Sequence, residues 1–189
     1  MFHKVTSVLV AVLAVVLLAV GNAGAVGFVN VDVFSGFTCC AGGGTPYSGF
    51  VGSFTSPDVL FATNTGYAWH PFALFSFGAL ITGELGVSAP GNYLFTLNSD
   101  DGSLLFIDGV LVVNDGGAHP PAVVSGSAAL SSGGHSFRIE FFECCGGPSG
   151  VDLYLPDGVT YVPEPATVFL LGSGLVGLGG AAWRRHRRR

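Results

Sequence analysis

Leu104–Ile107 and Val110–Val113 are short apolar runs with only Asp108-Gly109 between them. Two residues reverse a chain between extended segments only in a tight β-hairpin, and Asp-Gly supplies the positive φ values that turn needs. The middle of the chain is thereby committed to antiparallel strands. Neighbouring segments agree. Tyr93, Phe95 and Leu97 alternate with Leu94 and Thr96; Phe137, Ile139 and Phe141 alternate with Arg138, Glu140 and Phe142. Val151, Leu153 and Leu155 alternate with Asp152 and Tyr154, and Pro156-Asp157-Gly158 then turns the chain. Successive side chains of a strand point to opposite faces, so each segment offers one apolar face to a core. No helical period is visible between the two ends of the chain, and Gly and Ser punctuate it every few residues. Short strands at this spacing predict an all-β fold, an antiparallel β-sandwich or barrel. Ser35 to Thr65 reads mostly as loop, with strands expected near Phe50–Phe54 and Val59–Ala62.

The two ends follow different rules. Met1 to Lys4 is short and basic, Val5 to Val20 is almost unbroken apolar sequence, and Ala23-Gly24-Ala25 has the small residues a signal peptidase accepts. Residues 1–25 therefore read as a signal peptide cleaved after Ala25. At the other end, Pro163-Glu164-Pro165 precedes an apolar stretch from Ala166 to Trp183 and the basic run Arg184-Arg185-His186-Arg187-Arg188-Arg189. Eighteen residues at ~1.5 Å each span roughly 27 Å as a helix, enough to cross a hydrocarbon core, and the arginines would stay cytoplasmic. This tail resembles the PEP-CTERM sorting signal of Gram-negative bacteria. The resemblance implies an exosortase-type processing enzyme as partner, a transient stay in the inner membrane, removal of the tail, and delivery to the cell surface or exopolysaccharide matrix. A plain C-terminal anchor is the alternative, and both imply export.

Residues 26–162 remain, enough for one domain. Of the chain's 12 acids only Glu164 lies outside them, and of its 7 bases only Arg138 lies inside, so this body carries a formal charge of −10. One base is too few for nucleic acid, which is bound mainly through Lys and Arg. A divalent cation suits the balance better. The four cysteines form two adjacent pairs, Cys39-Cys40 and Cys144-Cys145, each in a glycine-rich stretch. In an exported chain they read as disulfides, with bridges between the pairs favoured over bridges within them; adjacent cysteines lack the spacing usual in zinc sites.

The run "FSFGALITGELGVSAPGNYLFTLNSDDGSLLFIDGVLVVNDGGAH", with "SGSAALSSGGHSFRIEFFECCGGPSGVDLYL" after it, resembles the PA14 domain from roughly Gly27 to Tyr161. The motifs that carry the likeness are Asp-Asp-Gly-Ser followed by Ile-Asp-Gly, Asp115-Gly116-Gly117-x-His119, and Gly134-His135-x-x-Arg138-Ile139-Glu140-x-Phe142. The resemblance implies a β-sandwich and recognition of carbohydrate or of a surface.

Asp100 and Asp101 raise the sharpest question about chemistry. As a turn, Asp-Asp-Gly is ordinary. As a glycosidase pair it is badly placed, because such carboxylates flank the scissile bond ~5–9.5 Å apart. As cation ligands the two fit Ca²⁺, which takes six to eight oxygens. By resemblance to Ca²⁺-dependent PA14 lectins, Asp100 and Asp101 would be joined by a cis peptide and would ligate Ca²⁺. Glu143 would stand where those lectins place an asparagine, and the carbonyls of Cys145 and Gly147 would complete the set. Glu143 keeps an oxygen ligand and adds a charge. Cys144-Cys145-Gly146-Gly147 has no aromatic to stack on a sugar, so no glycan specificity carries over. His119 is expected to make a structural hydrogen bond, and Asn114 and Asp115 to sit in a hairpin-end turn, with an extension of the acidic patch as the alternative.

No nucleophile elbow, HExxH, phosphate loop or dinucleotide fingerprint occurs, and the body has no lysine. The expected function is non-catalytic: surface or matrix attachment through Ca²⁺-assisted binding of an extracellular polysaccharide or glycan. A structural matrix component without a specific glycan is the alternative, with a small secreted hydrolase behind it.

Overall fold

A computed structural model describes residues 29–38, 47–61, 69–144 and 147–162. The expected signal peptide, sorting motif and membrane-spanning stretch lie outside them. So do Cys39, Cys40 and Cys145, and with them the expected disulfides. Among the described residues no helix is long and apolar enough to cross a membrane.

The described chain is eleven strands in chain order: β1 Val29–Gly36, β2 Ser48–Ser56, β3 Leu60–Phe61, β4 Phe77–Val87, β5 Gly91–Asp100, β6 Ser103–Ile107, β7 Val110–Asp115, β8 Ala122–Leu130, β9 Gly133–Glu143, β10 Gly150–Tyr154 and β11 Val159–Val162. All pairings are antiparallel. One sheet has the order β2-β1-β4-β9-β6-β7, with β11 also on β4; the other is β3-β10-β5-β8. The period-two faces meet between the sheets. Phe95 and Leu97 of β5, Ile81 and Leu85 of β4, Ile139 and Phe141 of β9, and Val151 of β10 are completely buried. The result is the antiparallel sandwich, as the alternation predicts.

The predicted hairpin is present. Ile107 pairs with Val110, and Asp108 and Gly109 have φ of 48° and 78°, so the turn's twist matches that of its strands. In the stretch read as mostly loop, the strand expected near Phe50–Phe54 is present and longer than expected, for β2 has nine residues. A register shift between Val33 and Phe34 of β1 and a positive φ at Gly49 break the alternation there, so no clean period two survives in the letters. β3, Leu60–Phe61, lies within the second expected strand, whose last residue, Ala62, is outside the described residues.

The sheets close on each other along β7 and β8. There Gly126 sits against the Val112 carbonyl, and a Cβ at Gly126 would run into that oxygen. β9 covers one side of β4 along its whole length, so β1 and β11 share the other side. Val29 and Val162, the residues where the flanking segments attach, therefore lie near each other beside Thr82–Glu84. Val162 pairs with Glu84, and Glu143 pairs with Phe77 at the far end of β4.

Candidate functional site

The acidic end of the sandwich is built from three strand ends. Asp100 closes β5, where it pairs with Gly150 of β10, and a cis peptide bond joins it to Asp101. Asp101 is 4% exposed, and both of its carboxylate oxygens are claimed by backbone amides. His119 N donates to Oδ1 at 3.0 Å and Cys144 N donates to Oδ2 at 3.0 Å. One side chain thus ties together the segments after β5, β7 and β9. Carboxylates that accept backbone N–H bonds are held in one orientation by charge-assisted contacts.

Glu143 ends β9 and is 2% exposed. It lies on the inward face of that strand with Ile139 and Phe141. Glu140, an odd number of residues away, faces outward and pairs with Arg138 at 3.0 Å. Oxygens from Asp100, Asp101 and Glu143 all lie within 4.8 Å of one another. Oxygen ligands sit 2.3–2.6 Å from Ca²⁺, so any two on the same ion are within about 5 Å; the cluster is compact enough to share one. An all-oxygen donor set suits a hard cation rather than zinc. The three acids open into a cavity of about 340 Å³ that His119, Pro120 and Gly147 also line. Gly147 therefore stands beside the acids, whereas Cys145 lies outside the described residues.

Burial pushes the Asp100 carboxyl above its ordinary range, and the neighbouring charge of Asp101 adds to this; His119 pulls the other way. Around the acids lies a shell of polar support. The His119 ring places Nδ1 2.8 Å from the Pro120 carbonyl and Nε2 3.1 Å from the Asp115 carbonyl. Burial lowers the affinity of His119 for a proton, but these two carbonyls and the charges of Asp115 and Asp101 together raise it above the ordinary histidine value. The structural hydrogen bond expected of His119 is thus present, and its main-chain N–H clamps Asp101 as well.

Asp115 is buried at the end of β7. It accepts from Ser99 Oγ at 2.9 Å, and Ser99 Oγ lies 2.8 Å from Ser103 Oγ. Burial pushes the Asp115 carboxyl up, while the Ser99 hydroxyl and His119 oppose that. Sequence reasoning placed Asp115 in a turn and missed this network. The spacing Asp115-Gly116-Gly117-x-His119 was the available signal, since it lets the His119 ring reach back to the Asp115 carbonyl while the His119 main-chain N–H bonds Asp101.

Two family models match the chain: the PA14 domain over residues 35–166 and the PEP-CTERM protein-sorting motif over residues 162–189. No curated protein matches it. Among solved structures it is similar to an anti-sigma factor domain-containing protein from Clostridium clariflavum, with TM-score 0.54 and 17% identity over 72% of this chain and 45% of that one. It is similar to a PA14 sugar-binding domain from an RTX adhesin, with TM-score 0.53 and 16% identity over 69% of this chain and 91% of that one. A β-glucosidase from Kluyveromyces marxianus matches at TM-score 0.52 and 12% identity, over 72% of this chain and 17% of that one. The chain thus spans less than half the length of the anti-sigma factor protein, and at these identities the likeness is one of fold.

Proposed function

Since the chain belongs to the PA14 domain family, we propose that it is a non-catalytic surface or exopolysaccharide-matrix protein that binds carbohydrate with a Ca²⁺ ion held by Asp100, Asp101 and Glu143. The observation that carries this reading is the convergence of three carboxylates within 4.8 Å at the mouth of a cavity. Three like charges so close repel, and a divalent cation offsets that repulsion. Bound Ca²⁺ supplies coordination positions that vicinal sugar hydroxyls can fill. Asp101, fixed by two amides, orients the ligand set, and the carbonyls of Gly147 and Cys145 stand as further ligands by resemblance.

Support for the non-catalytic half comes from the same geometry. The three acids gather on one point, whereas a glycosidase pair flanks its bond from two sides. Export, through an exosortase-type enzyme acting at Pro163-Glu164-Pro165, is supported by the match of the sorting motif. The acidic cavity suits that arrangement. Val162 and Glu143 are seven residues apart along β4, about 24 Å at ~3.4 Å per residue, so the cavity is far from the point where the tail attaches.

Calorimetric titration of the full chain in mild detergent tests the proposal. Ca²⁺ should release heat and raise the unfolding midpoint, and Asp100→Ala and Asp101→Ala should abolish both. A glycan array read with and without chelator then tests the sugar. Absence of a Ca²⁺ response would leave a structural matrix component as the reading, and hydrolysis of a bound glycan would overturn the non-catalytic assignment.

A further inference from the structure

The outward face of the four-stranded sheet begins at Asp100. Along β5 the residues alternate, so Asn98 and Thr96 share that face while Leu97 and Ser99 are buried behind it. The register extends both positions sideways. Asn98 stands between Asp152 of β10 and Val123 of β8, with Leu60 of β3 beyond Asp152; Thr96 stands between Tyr154 and Ser125. Two polar rows result, ~7 Å apart along the strands, on a face ~14 Å wide at the usual strand spacing.

The rows are preorganised. Thr96 Oγ1 and Ser125 Oγ are 2.8 Å apart, and Asp152 Oδ2 accepts from Asn98 Nδ2 at 3.3 Å and from the Tyr154 hydroxyl at 3.5 Å. Asp152 is 6% exposed, yet its buried Oδ1 has no hydrogen-bond partner. Tyr154 is 49% exposed, and so presents an aromatic ring beside those groups. Leu60, Leu94 and Val123 are also exposed here, but no two are neighbours in the register. A protein interface concentrates its apolar groups in a contiguous patch, and this face does not. Asp152 lies beneath the face and orients Asn98 and Tyr154, and the hydroxyl and amide groups alternating with apolar ones above it match the surface of a sugar, which is itself polar at its hydroxyls and apolar at its C–H faces. Beyond the Asp100 end no cationic side chain lies on the face among the described residues, so none there pairs with the charge of a uronate or sulfate.

We infer that this face is a second carbohydrate-binding surface, which takes successive units of a neutral, extended polysaccharide running from the Asp100 end across Asn98 and Tyr154. The inference rests on the reading of the Asp100 cavity as a carbohydrate site and deepens it: the ligand is a chain rather than a single terminal sugar.

The test is a glycan array of neutral and anionic glycans from one to ten units, probed in Ca²⁺ with the full chain and with Tyr154→Ala and Asn98→Ala. Affinity for neutral glycans should rise with chain length. Each variant should lose about three- to tenfold for long chains, the worth of one hydrogen bond or partial ring contact, while monosaccharide binding and Ca²⁺ heat stay unchanged; Asn98→Ala, which takes a donor from the buried Asp152, should also lower the unfolding midpoint. Affinity independent of length, a preference for anionic chains, or mass doubling abolished by Tyr154→Ala would overturn the second surface and leave the Ca²⁺ site standing. Loss of the Ca²⁺ response with length-dependent binding retained would instead remove the Ca²⁺ site and keep the surface.

Discussion

Glu143→Gln should stabilise the protein without Ca²⁺ and weaken it with Ca²⁺. The substitution keeps the shape of a buried side chain and removes one of three charges. At 4.8 Å, two unit charges interact with about 3.5 kcal/mol at an effective dielectric of ~20. Glu143 faces two such neighbours, but water in the open cavity and delocalised carboxylate charge reduce the effect, so a gain of about 1–3 kcal/mol is expected in chelator at pH 7.5. For a domain of this size that is an upward shift in unfolding midpoint of roughly 3–10 °C. In Ca²⁺ at a hundred times the dissociation constant, the wild type gains about 2.7 kcal/mol, and the Gln variant, with a weaker ligand, gains less. Differential scanning calorimetry in chelator and in a Ca²⁺ series therefore should show the two stability curves crossing. A Gln variant less stable than wild type in chelator, together with parallel responses to Ca²⁺, would refute the claim that repulsion among these three acids is what a cation relieves.

Three further outcomes follow from other parts of the sandwich. His135 Nδ1 lies 2.6 Å from Asp108 Oδ2, and its Nε2 lies 3.1 Å from the Ser131 carbonyl. The Asp108 bond raises the histidine above its ordinary value, and the His135 bond lowers the aspartate below its own. The stabilisation from the histidine is therefore complete below about pH 6.5 and is lost as pH rises through the raised value; that from the aspartate is present above about pH 4 and is lost as pH falls through the lowered one. Because Asp108 is half exposed, the pair contributes on the order of 1 kcal/mol, and His135→Gln should flatten stability between pH 6.5 and 8 in urea titrations. Gly126→Ala drives a methyl into the Val112 carbonyl and should cost at least about 3 kcal/mol by denaturant midpoint, whereas Gly109→Ala meets open space and should cost only about 1 kcal/mol, the strain of its positive φ. Ile139→Ala, in the centre of the core, should cost about 3 kcal/mol with the Ca²⁺ response intact.

Much of the fold was legible because its signals are local. Phe95 and Leu97, Ile139 and Phe141, and Val151 and Leu153 declare their buried faces by alternation alone, since the period of a strand is a property of its own backbone. Asp108-Gly109 declares its hairpin for the same reason: two positive φ values in succession need those residue types. Of β2 only the centre, Phe50–Phe54, was legible, because a register shift and Gly49 interrupt the period that marks the rest of the strand. Asp152 was not legible either. Its alternation places it outward with Tyr154, as found, yet nothing in the letters says that an outward aspartate is buried.

The acidic site divides along the same line. That Asp100 and Asp101 are adjacent acids at a strand end belongs to the sequence, as does a stretch, residues 26–162, with eleven acids and one base. That Glu143 stands beside them was implied by resemblance and could not be computed from spacing, because residues 42 positions apart meet only through the pairing of β4, β6 and β9. The same holds for the His119 and Cys144 amides that orient Asp101. Backbone donors carry no residue signature, so only the tertiary path of three loops could decide which N–H groups would converge on that carboxylate.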